Sequence, residues 1–373
     1  MANEYEISAP QLKGRLDAGD LRFIFDLRAR DEFAAWRIEG RQEVETLNIP
    51  QAEFLGEEEK YLDQLPGDRE IIAICAHGGA SRYEAEQLRE KGFNILSLAG
   101  GMDSWSEFYQ TRRVARGPDI FQVERVAKGC LSHVIVAGGE AVVIDAVRHL
   151  ERIKTILLEQ EAALKGVIDT HLQADHISGG RQLAEEFQVP YYISPIDAEQ
   201  AAYRYTPLTD NLTIRAGASR IRAIHSPGHT PGSFSLLLDD RYLFTGDIIM
   251  KSGLGRPDLG GMATAWAHLL YRTIFDRFAA LPDTLTLLPS HATGIKEEDR
   301  QGIVRLTLGD FRRAEPFNLR EEPAFIDYIE ASLPENPARY QDIRRVNLGL
   351  LEPDEEKRKE LEIGKNLCGM VNG

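Results

Sequence analysis

Cys75 opens the stretch Cys75-Ala76-His77-Gly78-Gly79-Ala80-Ser81-Arg82, directly behind the apolar run Ile71-Ile72-Ala73-Ile74 and ahead of a helical pattern that extends to about Gly92. Glycines at 78 and 79 let the backbone curl so that several N–H groups face one point, and a helix N-terminus adds partial positive charge there. Such a cradle stabilises a thiolate and, equally, a persulfide carried on that sulfur, which is what a sulfur carrier needs. A cysteine alone reads as a small buried hydrophobe; the glycine loop around this one points to chemistry.

A second group is spread over four segments: Thr170-His171-Leu172-Gln173-Ala174-Asp175-His176, Ser226-Pro227-Gly228-His229-Thr230-Pro231-Gly232, Thr245-Gly246-Asp247 and Pro289-Ser290-His291. Each sits where a strand gives way to a loop, and loops at strand ends converge their side chains on one side of a scaffold. Imidazole and carboxylate together suit zinc or iron. One histidine is more often a hydrogen-bonded structural residue than a ligand, but four such segments in one order point to a metal site.

The elements that must position these groups follow from periodicity and punctuation. Before residue 111, short apolar runs such as Phe23-Ile24-Phe25 alternate with helix-like stretches, the pattern of a parallel α/β sheet. Residues 111–118 are poor in apolar side chains and end in Gly117-Pro118, so the expected division is a domain over 1–115 and a second over 116–373. In the second, Val134-Ile135-Val136, Ala141-Val142-Val143-Ile144 and residues 234–238 read as strands, and Asp239-Asp240 reads as a hairpin turn before Tyr242-Leu243-Phe244. From about Glu298 the tail is charged and partly helical, cut by Pro316, Pro323, Pro334, Pro337 and Pro353, and shows little functional signal.

Asp26-Leu27-Arg28, the Cys75 loop and Leu98-Ala99-Gly100-Gly101-Met102-Asp103-Ser104-Trp105 together resemble a single-domain rhodanese over residues 21–109. The resemblance implies a sulfurtransferase with Cys75 as the catalytic residue and Gly78 and Gly79 in the loop that meets substrate. Ala76 and Ala80 stand where rhodanese loops often carry arginines that hold thiosulfate, so a thiol persulfide, or an intermediate from the second domain, is the expected donor.

The four histidine and aspartate segments resemble the metallo-β-lactamase fold over residues 121–291, and Gly255-Arg256-Pro257-Asp258 is similar to the corresponding stretch of persulfide dioxygenases. The fold implied is an α/β rhodanese-like domain followed by a metallo-β-lactamase αββα sandwich with a helical C-terminal tail. Hydrolases of this fold, such as glyoxalase II, read His-x-His-x-Asp-His in the first segment and use both leading histidines for the first of two metals. Here the middle position is Gln173, whose amide is a poor ligand for zinc or iron. Persulfide dioxygenases use one ferrous ion held by two histidines and an aspartate, and those positions correspond to His171, His229 and Asp247.

The resemblance therefore implies oxidation of a low-molecular-weight thiol persulfide, glutathione persulfide first among them, by O2 to sulfite and thiol at one Fe(2+) per chain. Two imidazoles and a carboxylate on one face of an octahedron leave positions for substrate sulfur and dioxygen. Asp175, His176 and His291 are expected to orient ligands or substrate. With Asp247 they also match the second-metal pocket of the hydrolases, so Zn(2+) and a thioester hydrolase of glyoxalase II type stand as the alternative, with a non-catalytic sulfur carrier third. Arg256 is expected to support the site loop or to meet an anionic substrate, with a surface ion pair as the equal alternative. Linking a persulfide-forming cysteine to a persulfide-consuming site raises the effective concentration of a shared intermediate.

Composition bounds the remainder. The 373 residues carry 43% hydrophobic and 28% charged side chains, an ordinary globular mixture, and a net charge of -15 opposes binding to nucleic acid or an anionic membrane. The N-terminal stretch shows no basic segment followed by an apolar run, so a cytoplasmic protein is expected. The three cysteines are too few and too scattered for a disulfide framework; Cys130 is expected to be packed, and Cys368 has no assigned role. His133, His149, His225 and His268 lack a motif and are expected to be structural or at the surface. The resemblance admits a homo-oligomer.

Overall fold

The computed structural model describes residues 4–314, 317–333, 339–366 and 368–371. Two compact units emerge: one of the residues up to Phe108 with Arg125–Lys128 and Gly294–Lys296, the other of Tyr109–Glu124, Gly129–Thr293 and the residues from Glu297 onward.

The first unit is built on a five-stranded sheet in the order Glu6–Ile7, Ile95–Leu98, Ile71–Ile74, Phe23–Asp26, Glu45–Asn48, parallel throughout. Ile71–Ile74 lies at its centre with every side chain buried, which is why its sequence is continuously apolar rather than alternating. Ile72 and Ile74 enter one hydrophobic cluster with Leu12, Leu16 and Trp105, whereas Ile71 and Ala73 enter another with Phe54, Ala85 and Leu88. The two faces of the central strand are thus both covered, and its C-terminal end delivers Cys75 to the helix Gly79–Glu90.

The second unit is a sandwich. A seven-stranded sheet runs in the order Thr206–Pro207, Tyr191–Ile193, Ala163–Ile168, Glu140–Ile144, Cys130–Ala137, Asp119–Arg125, Tyr109–Ala115. A six-stranded sheet runs Thr213–Ala216, Ser219–His225, Phe234–Leu238, Tyr242–Gly246, Thr286–Pro289, Leu306–Thr307. The period-two pattern of a strand divides its side chains between layers. Ile135, Val142 and Ile144 meet Leu236, Phe244 and Leu288 between the sheets, while Val134, Ala141 and Val143 face the helices Glu151–Glu159 and Gly180–Phe187 through Ile153, Ile156 and Leu183. Leu237, Leu243 and Leu287 face the opposite helical layer through Leu270, Phe278 and Phe325. This is the expected αββα arrangement.

The low-apolar stretch at 111–113 belongs to Tyr109–Ala115, the edge strand of the seven-stranded sheet, where half-exposed arginines and threonine are tolerated. The expected hairpin is present: Leu238 pairs with Tyr242, and Asp239 and Asp240 both adopt left-handed backbone conformations, at φ 49° and 53°. The tail folds into the helices Leu308–Arg313, Glu322–Ala331, Arg339–Asn347 and Glu355–Glu362, with Pro323 in the first turn of one and Pro353 just ahead of another. Pro316, Pro334 and Pro337 lie outside the described residues. No helix among those described is long and apolar enough to cross a membrane.

Candidate metal centre and sulfur cradle

Cys75 sits where the central strand of the first unit ends, and its Sγ accepts backbone N–H groups from Gly78 at 3.1 Å and Ser81 at 3.3 Å, with the Ser81 hydroxyl at 3.2 Å. Gly78 takes φ +85°, and a Cβ there would lie 2.6 Å from the Gly100 nitrogen. The Gly100-Gly101 segment packs beneath the loop: a Cβ on Gly101 would lie 2.3 Å from the Cys75 carbonyl, and Met102 N–H donates to that carbonyl at 2.9 Å. The two glycine motifs thus need each other, since backbone lies on backbone with no room for a side chain. Asp26 and Arg28 form a buried fork, Nη2 to Oδ2 at 2.7 Å, and Arg28 also donates to the Trp36 carbonyl. A pocket of about 450 Å³ opens over Cys75, with Leu27, Pro50, Ala76 and Ala80 among its apolar walls and Arg28 and Glu32 as its charged members. His77 lines it as well and is paired with Asp103 at 2.6 Å.

In the second unit, the strand ends Ala163–Ile168, Tyr242–Gly246 and Thr286–Pro289 lead directly to the first, third and fourth segments, and Ser219–His225 leads to the second. His171, His229 and Asp247 are brought together, each no more than 1% exposed, with one donor atom from each lying within 4.8 Å of the others. Asp247 Oδ2 is 3.7 Å from His171 Nε2 and 3.6 Å from His229 Nε2. Both Nε2 atoms are buried without a hydrogen-bond partner, although their Nδ1 atoms are engaged, His171 with the Thr170 hydroxyl at 3.0 Å and His229 with the Arg256 carbonyl at 2.9 Å. For His229 the carbonyl can only accept, so Nδ1 carries the hydrogen and the Nε2 lone pair faces Asp247. Buried nitrogens so oriented and left unsatisfied, beside a carboxylate, fit a metal ion.

The electrostatics agree. Burial pushes the His171 imidazole down to about 3 and that of His229 down from its ordinary value, with Asp247 only partly opposing, so both are neutral ligands near pH 7. Burial works against the Asp247 charge, but the His291 charge and hydrogen bond, then His171 and His229, hold its carboxyl at about 2.

Asp175, His176 and His291 gather beside this triad. His291 Nδ1 lies 2.7 and 2.9 Å from the two Asp247 oxygens, and its Nε2 lies 3.1 Å from Asp175 Oδ2; His176 Nδ1 lies 3.0 Å from Asp175 Oδ1. Burial opposes charge on both imidazoles. Asp175 and Asp247 nevertheless raise His291 well above its usual value, and Cys130 and Asp175 raise His176 to about 10. A metal bound there must displace those protons.

Several positions do more than expected. Cys130 is packed in the core, as expected, and also opens the strand Cys130–Ala137, bridges to His291 through the backbone, and places Sγ 3.8 Å from Asp175 Oδ2. The tail, expected to show little functional signal, clamps the first motif: Asn347 Nδ2 donates to the carbonyls of Gln173 and His176, and Glu362 accepts from Ile177 N–H. Cys368 Sγ lies within the same 4.8 Å reach of Asp247 and His291. Arg256 is fully buried with its guanidinium forked onto Asp258, Nε to Oδ1 and Nη2 to Oδ2, each 2.7 Å, so its fork faces the loop rather than solvent.

Sequence reading overlooked Asp145 and Asp197. Asp145 accepts from Thr170 N–H at 2.7 Å, from the Ser290 hydroxyl and from Gln173 Nε2; Asp197 accepts from Leu172 N–H, the Thr230 hydroxyl and Gly232 N–H, tying the first motif to the His229 loop. A lone aspartate closing a buried strand was the available cue for Asp145; nothing local marked Asp197. Of the other histidines, His133 is buried and pushed down to about 3 by desolvation, His225 meets the Pro231 carbonyl, His268 pairs with Glu322 at the surface, and His149 stands edge-on to Tyr109.

Comparison with known proteins agrees with this architecture. Residues 8–108 match the rhodanese-like domain family and residues 125–291 the metallo-beta-lactamase superfamily. The human protein named persulfide dioxygenase ETHE1, mitochondrial, is 32% identical over 176 residues, covering 45% of this chain and 67% of the relative. A probable polyketide biosynthesis zinc-dependent hydrolase, BaeB, of Bacillus velezensis is 30% identical over 160 residues, covering 42% and 69%. The crystal structure of ETHE1 from Myxococcus xanthus superposes with a TM-score of 0.50 at 26% identity, over 59% of this chain and 95% of that one. The chain belongs to the metallo-beta-lactamase superfamily and carries a rhodanese-like domain ahead of that fold.

Proposed function

We propose that the second unit is a persulfide dioxygenase, oxidising a low-molecular-weight thiol persulfide, glutathione persulfide first among candidates, at one ferrous ion held by His171, His229 and Asp247. The balanced reaction is RSSH + O2 + H2O → RSH + SO3²⁻ + 2 H⁺. The observation that carries this reading is the pair of buried, unpartnered Nε2 atoms of His171 and His229 beside Asp247, with no third imidazole among them because that position is Gln173. Iron held by these two histidines and one carboxylate would supply the redox chemistry. The chain's own residues hold the geometry. Thr170 and the Arg256 carbonyl fix the two imidazole rings, and His291 fixes the rotation of the Asp247 carboxylate. The near-complete burial of the three ligands keeps bulk water from competing for them.

Cys75 in this reading carries sulfur as a persulfide. Its sulfur attacks the outer sulfur of a donor persulfide, the S–S bond of the donor breaks, and the departing thiolate takes up a proton. The pocket's Leu27, Pro50, Ala76 and Ala80 walls, with the lining Arg28 engaged by Asp26, suit an organic persulfide better than thiosulfate. The three cysteines are free thiols, in keeping with a reducing compartment such as the cytoplasm.

A second reading, a zinc thioester hydrolase, draws on Asp175, His176 and His291 lying against Asp247 as a two-metal site would need. The two readings part in one experiment: oxygen uptake by anaerobically iron-loaded protein given glutathione persulfide, with His229→Ala and Cys75→Ser alongside. Uptake with sulfite formation, lost in His229→Ala and kept in Cys75→Ser, is expected. No uptake with iron bound, together with thioester cleavage by the zinc-loaded protein, overturns the dioxygenase.

A further inference from the structure

We infer that His77, oriented by Asp103, is the proton donor of the sulfur-transfer step at Cys75, protonating the thiolate that departs when an organic persulfide hands over its outer sulfur; this rests on the reading of Cys75 as a sulfur carrier. His77 Nδ1 lies 2.6 Å from Asp103 Oδ2. A carboxylate only accepts, so Nδ1 carries the hydrogen, and Nε2 on the other side of the ring bonds no other described residue. The side chain is 80% exposed and lines the pocket over Cys75, so both a departing thiol and solvent reach it.

The proton is needed at a definable place. In-line attack by Cys75 puts the departing sulfur on the far side of the transferred one, about 4 Å from Sγ or two S–S bond lengths, and so out in the pocket. The loop's own donors cannot serve there, because the N–H groups of Gly78 and Ser81 are turned on Cys75 Sγ itself. Of the other polar side chains lining the pocket, Arg28 is forked onto Asp26 and does not release its proton, Glu32 accepts from Ala29 N–H at 3.0 Å, and Gln51 is an amide bonded to Glu84. Imidazole is the side chain that takes up and gives back a proton in the neutral range.

The second glycine motif supplies the orientation. Met102 N–H donates to the Cys75 carbonyl at 2.9 Å and Asp103 N–H to the Ala76 carbonyl at 3.1 Å, so the helix Gly101–Ser106 that floors the cradle also holds the Asp103 carboxylate against His77. An exposed ion pair contributes little to stability, and these backbone bonds hold the loop without it. Asp103 is thus a positioning residue. The transfer balances: Cys75 Sγ bonds the outer sulfur, the S–S bond of the donor breaks, its electron pair leaves on the thiolate, and the Nε2 proton joins it there. The Cys75 proton goes to solvent, from which His77 is reprotonated.

The test is anaerobic, single-turnover loading of the full-length protein, with the Cys75 persulfide followed by mass spectrometry. Two donors are compared: glutathione persulfide, whose alkyl thiolate leaves poorly, and thiophenol persulfide, whose aromatic thiolate leaves without help. His77→Gln, which keeps a donor for Asp103, should load about a hundred-fold more slowly from glutathione persulfide, the low end of what a positioned proton donor contributes, and at nearly the wild-type rate from the aromatic donor. Asp103→Ala should show a smaller loss confined to the same donor. Loading from the aromatic donor also shows that each variant is folded. Equal rates in wild type and His77→Gln, or a loss that falls alike on both donors, overturns the inference while leaving Cys75 as the carrier. A wild type that takes no sulfur on Cys75 from either donor overturns the carrier reading and the inference together.

Discussion

Gln173 donates from Nε2 to Asp145 Oδ1 at 3.3 Å, a bond between the first histidine motif and the carboxylate that closes the strand Glu140–Ile144. At the position where hydrolases of this fold place a second imidazole, the amide nitrogen is therefore tied to the framework, while its Oε1 is buried without a hydrogen-bond partner. Asp145 keeps other donors in Thr170 and Ser290. Gln173→Ala is expected to lower the stability of the second unit by about 1–2 kcal/mol, the usual cost of one bond to a buried charged group. Bound metal per chain should stay unchanged. Denaturation midpoints and metal analysis decide the matter, and metal lost in step with the amide would mean that Gln173 is itself a ligand.

Arg256 acts on the site through its backbone carbonyl, which holds His229, while its buried fork on Asp258 sets where that carbonyl lies. Lysine cannot reproduce the two parallel bonds. Arg256→Lys is expected to weaken metal binding by about ten- to a hundred-fold, the range seen when a ligand's supporting contact is removed. KM of the metal-saturated enzyme should barely move. A large rise in KM at unchanged metal affinity would instead place the guanidinium on the substrate.

The cradle around Cys75 leaves no space at Gly78. A methyl group there combines a φ of +85° with a contact of 2.6 Å to the Gly100 backbone, and the left-handed conformation alone costs roughly 1–2 kcal/mol. Gly78→Ala should abolish sulfur loading of Cys75, followed by mass spectrometry of protein incubated with glutathione persulfide, while oxygen uptake persists. Normal loading would show that the N–H groups of this loop are dispensable.

Glu84 is buried in the helix Gly79–Glu90, and its carboxyl is raised above the ordinary 4.5 by burial first and then by the Glu58 charge, with Gln51 opposing. A carboxyl with a raised native pKa binds its proton more tightly when folded, so its contribution is most favourable below about 4.5 and is lost as pH climbs through the native value. Glu84→Gln removes that loss. The variant should melt higher than wild type at neutral pH, by the equivalent of about 1–3 kcal/mol for a desolvated polar group, and the gap should close toward about pH 4. An equal gap at both pH values would mean that packing, not ionisation, separates the two proteins.

The strand-and-helix alternation of the first unit, the Asp239-Asp240 hairpin and the four loop motifs were all legible because each is written in residues a few positions apart. Backbone conformation responds to such neighbours directly. The pairing of Gly78 with Gly100 and Gly101 was half legible: both glycine motifs stood out, but that one forms the floor of the other depends on strands Ile71–Ile74 and Ile95–Leu98 lying side by side.

By itself the sequence singled out the side chains proposed to bind metal or sulfur, His171, His229, Asp247 and Cys75, and placed Gln173 where the hydrolase motif carries a histidine. Only the tertiary structure decided where the remaining polar groups spend their bonds. It turned Gln173 toward Asp145, buried Arg256 on Asp258, brought Cys130 to Asp175 across 45 positions, and carried Asn347 to His176 across 171. The physical reason is that a buried polar group must find a partner, and which partner is within reach is set by how sheets and helices pack rather than by neighbours along the chain.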